Sequence, residues 1–121
     1  MEREISFRFE KLQIWQKAMD FGEEINAVAG GFPEREKFNL ASQILRAADS
    51  IALNISEGSI GQSNPEFSRF MGYSIRSLAE VVTCLHKAYR RKYLTEKVFK
   101  KHYHESFDLM NMMVAFRKKL T

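Results

Sequence analysis

Three observations predict an all-α chain folded as an up-down-up-down antiparallel four-helix bundle. Apolar residues recur at three- and four-residue steps over nearly all of the 121 residues, only two prolines interrupt them, and no stretch alternates with the period of a strand. Short connections between long helices then force sequence neighbours to lie antiparallel. The length suits one domain spanning residues 1–121.

The first helix is predicted over about residues 9–29, with Leu12, Trp15, Met19, Gly22 and Ile25 or Asn26 on one face. Gly30-Gly31 ends it, because glycine accepts the left-handed conformation that follows many helices. A second helix is predicted over 34–57, with Pro33 suited to its first turn and Glu34 and Glu36 beside the positive end of its dipole. Leu40, Ile44, Ala47 or Ala48, Ile51 and Ile55 form its apolar face, and Gly58 is the expected stop.

Asn64-Pro65-Glu66 reads as the start of a third helix over 65–91, with Asn64 as its N-cap. Phe67, Met71, Ser74, Leu78, Val81 or Val82, Leu85 and Ala88 continue it at nearly heptad spacing. Thr95 caps a fourth helix over 96–119. This topology places the Gly30-Gly31 turn and the Arg90–Thr95 turn at the same end.

Charge narrows the function. Net charge is +4, but residues 87–121 hold ten Lys/Arg against three Asp/Glu, whereas residues 1–86 hold nine against twelve. Such asymmetry points to an acidic partner, with nucleic acid or an anionic membrane surface foremost. The segment KAYRRKYLTEKVFKK, residues 87–101, concentrates Lys87, Arg90, Arg91, Lys92, Lys97, Lys100 and Lys101 around a single acid. Its cations suit phosphates, and an exposed Tyr93 would stack on an unpaired base. Tyr89 and Phe99 read either as further stacking groups or as core residues near the helix ends.

No apolar run reaches the length of a membrane span, and MEREISFRFEK lacks a signal-peptide core, so a cytoplasmic protein without a membrane partner is expected. The single cysteine, Cys84, excludes an internal disulfide. Catalytic residues, cofactors and metal ligands are not expected: His102 and His104 diverge on a helix, Glu-x-x-His pairs are absent, and GSIG at 58–61 lacks the lysine of a phosphate loop.

Two further features suggest contact surfaces. Arg46, Ser50, Asn54 and Glu57 fall within a sector of about 80° at about 100° per residue, opposite the apolar face of the second helix. Either this is a solvated outer face, or these poor helix formers make a hydrogen-bonding stripe against another surface. In the fourth helix, Tyr103, Phe107, Met110 and Val114 mark one apolar line and Leu109, Met112, Met113, Phe116 and Leu120 another. One core needs one line, so the second suggests a homo-oligomer.

The motif QILRAADSIALNISEG, together with FEKL, Trp15, Phe32-Pro33 and SLAE at 77–80, resembles a bacterial family. These are the four-helix proteins encoded in intervening sequences of 23S ribosomal RNA genes, known as S23 ribosomal proteins. Gln43, Arg46, Ser50, Asn54, Glu57 and Gly58 match the shared motif, while Arg76 stands where the family usually has glycine. The resemblance implies a homopentameric bundle, similar to the accessory variability determinant of diversity-generating retroelements, which binds nucleic acid and a reverse transcriptase. The function expected is therefore a non-enzymatic oligomer binding RNA or DNA; the alternative is a scaffold for an acidic partner protein.

Overall fold

The computed structural model describes residues 5–121. Its four long helices are α1 (Gln13–Gly30), α2 (Leu40–Ser59), α3 (Asn64–Arg90) and α4 (Glu96–Lys118), and no strand occurs among the described residues. Each helix packs on its sequence neighbours, α4 closes the ring against α1, and the backbones of the diagonal pairs stay apart across the shared core. The α2–α3 pair is the most extensive. It is antiparallel, since Gly58 faces Phe67, Ile51 faces Ser74 and Gln43 faces Glu80, one number falling as the other rises. These contacts establish the four-helix bundle.

The core follows the expected faces of α2 and α3. Leu40, Ile44, Ile51, Ile55, Met71, Leu78, Val81 and Leu85 are fully buried, and removal of their apolar surface from water is the main drive for packing. Ser74 is buried among them because its hydroxyl donates to the Ile51 carbonyl at 2.7 Å, which ties α3 to α2. Cys84 is also fully buried, and burial pushes its thiol up, so it stays protonated and unreactive.

Several boundaries differ from the sequence reading. The chain makes a 3-10 turn over Arg8–Lys11 before α1 starts at Gln13, and the buried face of α1 is Ile14, Ala18, Phe21, Ile25 and Ala29. Met19 is exposed, while Leu12 and Trp15 only flank the core. Gly31 keeps a right-handed φ of −90°, and no described glycine has positive φ. The Gly31 and Phe32 amides donate to the Val28 and Ala29 carbonyls in a tightened last turn, so a left-handed residue is not required.

Pro33 precedes a short 3-10 turn, Glu34–Glu36, and α2 begins only at Leu40. That turn carries Glu36 inward, where its carboxylate accepts the Leu40 amide at 3.3 Å and the Asn39 side-chain amide at 3.0 Å. The acid thus serves as the N-terminal cap, an outcome consistent with the dipole argument but reached from outside the helix. Gly58 lies within α2 and does not end it. A Cβ there would sit 2.7 Å from the Phe70 Cβ and 2.8 Å from the Phe67 ring, so glycine is needed for the close approach of α3. At the start of α3 the cap is Ser63, whose hydroxyl accepts the Glu66 amide at 3.2 Å. Asn64 is the first helical residue and Pro65 the second, a shift of one position. Thr95 caps α4 as expected, accepting the Val98 amide at 3.2 Å.

Candidate nucleic-acid interface

The turn from α3 to α4 positions the basic segment. Helix α3 ends in a Schellman motif: the Tyr93 amide donates to the Ala88 carbonyl at 2.9 Å and the Lys92 amide to the Tyr89 carbonyl at 3.0 Å. Lys92 occupies the left-handed position of this motif with φ 67°, where glycine is the usual residue. Its Cβ makes that conformation unfavourable by about 1 kcal/mol. Lys92→Gly is therefore expected to raise stability by about 0.5 kcal/mol after the larger chain entropy of glycine is allowed for, as read in a urea titration.

Around this turn the eight candidate residues divide into two sets. Lys87, Arg90, Lys92 and Lys97 are exposed and make no ion pair among the described residues. The others are engaged within the fold. Arg91 donates to Glu36 at 3.0 Å, Lys100 pairs with Glu96 at 3.3 Å, and Lys101 pairs with Glu24 at 3.4 Å and Glu105 at 4.0 Å.

Tyr93 is not the exposed ring expected from the sequence. Its hydroxyl donates to Glu36 at 2.6 Å, its ring packs on Phe32 at 5.6 Å between centroids, and the Arg35 guanidinium covers it at 5.8 Å. The Arg35 side chain also donates to the Tyr93 oxygen at 3.2 Å. These contacts join the α1–α2 connection to the α3–α4 turn, which confirms that both lie at the same end. The Tyr93 hydroxyl is the chief cause holding the Glu36 carboxyl below its ordinary value of 4.5; burial opposes it, and the Leu40 amide, Asn39 and the Arg91 charge reinforce it.

Beside the unpaired cations lies an aromatic cluster that sequence reasoning left unassigned. Tyr89 stacks on Phe99 at 4.8 Å, Phe99 on Tyr103 at 5.8 Å, and His86 meets the Phe99 ring edge-on at 5.0 Å. Tyr89 and Tyr103 keep more than a third of their surface exposed. The signal was present in the spacing: His86 and Tyr89 are three apart on α3, Phe99 and Tyr103 four apart on α4, so each pair shares a helix face.

The polar stripe of α2 is only partly an interhelical device. Gln43 donates to Glu80 of α3 at 3.4 Å, and the Ser50 hydroxyl, which donates to the Ala47 carbonyl at 2.9 Å, also meets the Ser77 hydroxyl of α3. Asn54 turns back to the Ser50 carbonyl at 2.8 Å and exposed Arg46 bonds, among the described residues, only Ser42, at 3.1 Å, while Glu57 is exposed. Gly58 belongs to the close α2–α3 approach already described.

Both apolar lines of α4 exist in the fold. Leu109 and Met113 are buried, with Met112, Phe116 and Leu120 packed against the same core. Tyr103, Phe107 and Val114 are exposed and Met110 is half-buried, with Phe107 at 59% exposure the most open. No helix among the described residues is long and apolar enough to cross a membrane.

Comparison with known proteins agrees with this architecture. The sequence profile of the 23S rRNA-intervening sequence protein family matches residues 10–115. The crystal structure of a protein with unknown function from the S23 ribosomal protein family of Bacteroides thetaiotaomicron superposes with a TM-score of 0.81 at 23% identity, covering 87% of this chain and 98% of that one. The search of curated proteins finds no match.

Proposed function

The chain belongs to the 23S rRNA-intervening sequence protein family, and from that premise we propose that it is a non-enzymatic, homo-oligomeric bundle that binds RNA or DNA through the α3–α4 end. The observation that carries this reading is the group of four exposed cations, Lys87, Arg90, Lys92 and Lys97, without ion-pair partners among the described residues. Cations that are already solvated and unpaired meet phosphates without first breaking an internal bond, and they release the counterions condensed on the nucleic acid. The half-exposed rings of Tyr89 and Tyr103 beside them suit stacking on unpaired bases.

The line of exposed Phe107 and Val114 with half-buried Met110 between them supports self-association, because an apolar strip of this kind is better covered than solvated. A pentamer, the assembly implied by the family resemblance, would present the cationic end five times around one axis, with a total charge of about +20 to attract a polyanion.

Fluorescence anisotropy with a labelled structured RNA across a salt series tests the proposal, with light scattering for the mass. Wild type is compared with K87Q/R90Q/K92Q/K97Q. Removing one cation from a phosphate flattens the plot of log affinity against log salt by about 0.7 to 0.9, so the fourfold variant is expected to reduce the slope by about 3. Lys100→Gln, which removes a cation already paired with Glu96, is expected to change it much less. Absence of binding at low salt, or an unchanged slope, overturns nucleic-acid binding and favours an acidic partner protein; the mass of a single chain overturns the oligomer.

A further inference from the structure

We propose that Glu24, His102 and Glu105 form a binding site for a divalent transition metal of the zinc class, independent of the nucleic-acid reading above. The three side chains come from two rigid elements, Glu24 from α1 and the His102/Glu105 pair from one turn of α4. One ligand atom from each lies within 4.8 Å of the other two. The His102 Nδ1 is 2.9 Å from a Glu105 oxygen and 3.8 Å from a Glu24 oxygen. Zinc bound tetrahedrally at about 2.0 to 2.1 Å requires ligand atoms about 3.3 Å apart, so side-chain adjustments of about 1 Å complete the set.

The imidazole makes this more than an acidic patch. His102 is 95% buried, at 5% exposure, and its Nδ1 has no partner among the described residues outside these two carboxylates. With the hydrogen now shared with Glu105 displaced by the metal, the imidazole nitrogen and two carboxylates make a nitrogen–oxygen donor set for zinc or a similar borderline ion, and a poor one for magnesium or calcium, which take oxygen ligands. Access is present as well. A groove of about 400 Å³ between α1 and α4 is lined by Glu24 and Glu105 with Lys17, Asp20 and Asp108, so the two carboxylate ligands open to solvent.

Lys101 is the built-in competitor. Its ammonium lies 3.4 Å from Glu24 and 4.0 Å from Glu105, but the side chain is 63% exposed and can swing into water when an ion enters. Three protein ligands leave a fourth position of a tetrahedral ion open to water or to a ligand from outside.

Titration calorimetry of the full chain with zinc chloride and magnesium chloride tests the site, with circular dichroism to confirm that each variant is folded. One zinc per chain is expected, with magnesium at least about tenfold weaker. Glu24→Gln and His102→Gln are each expected to weaken zinc by at least about tenfold, since even outer groups of a metal site matter to that extent. If His102→Gln does not fold, Glu24→Gln decides, because Glu24 is 38% exposed and outside the core. Lys101→Met is expected to tighten binding by removing the competing charge. A His86→Gln/His104→Gln pair, altering the exposed histidines, is expected to bind as wild type. No binding, equal affinity for magnesium, wild-type affinity in Glu24→Gln, or loss in the His86/His104 pair overturns the assignment.

Discussion

Gly58→Leu is expected to destabilise the bundle by about 3 kcal/mol or more, the upper end of what overpacking a core produces. The position is inside a helix, where replacing glycine by a better helix former would alone gain up to about 1 kcal/mol. Tertiary contact reverses the sign. Even the first added carbon would overlap the Phe70 Cβ at 2.7 Å, an atom fixed by its own backbone, and the Phe67 ring at 2.8 Å. Phe67 in turn packs edge-on against Phe116 of α4 at 5.3 Å, so its ring cannot retreat without disturbing a third helix. Gly30→Ala is the control: a Cβ there meets nothing within 4 Å, and its effect is expected to stay within about 0.5 kcal/mol. Urea midpoints of the two variants, read with their slopes, separate packing from propensity.

Replacing Glu36 by Leu is expected to give the second large loss. Four donors from two parts of the chain converge on this carboxylate: Asn39 and the Leu40 amide at the start of α2, and Arg91 and Tyr93 in the α3–α4 turn. Without it the first turn of α2 loses its cap and the Arg91 guanidinium its partner, and buried donors left unpaired cost more than a surface contact contributes. Its thermal midpoint should fall well below that of Lys100→Ala, where an exposed ion pair of about 0.3–0.5 kcal/mol is removed. The same carboxylate sets a pH dependence. Its folded pKa is lowered below 4.5, so the stabilisation is fully present above that value and is lost as pH falls through the folded pKa. Wild type should therefore lose stability below about pH 4.5 more steeply than Glu36→Leu, which has no carboxylate to protonate; equal acid limbs would remove Glu36 from this role.

The faces of α2 and α3 were legible because each carries one dominant apolar line, from Leu40 to Ile55 and from Phe67 to Ala88. Helix α1 was less so. It holds apolar residues on two adjacent lines, and a helical period does not choose between Ile14 and Trp15 or between Ala18 and Met19. The line that meets both α2 and α4 became the core. The cap of α3 was missed by one residue because Ser63 and Asn64 are both good caps in sequence. Gly58 looked like a helix end because the reason for glycine lies in the Phe67 and Phe70 side chains of another helix.

By itself the sequence determined the four helices, the Thr95 cap, the two apolar lines of α4 and the concentration of positive charge after residue 86, all of which depend on local period, local hydrogen bonding or composition. Only the tertiary structure decided which cations stay available. Arg91 finds Glu36 from 55 positions away and Lys101 finds Glu24 from 77, whereas Lys87, Arg90, Lys92 and Lys97 have no such carboxylate beside them among the described residues. It likewise decided that His102 faces Glu24 across a helix boundary. The physical reason is common to all three: ion pairing and ligand sets depend on distances of a few ångströms between side chains, and residues tens of positions apart acquire such distances only when helices pack.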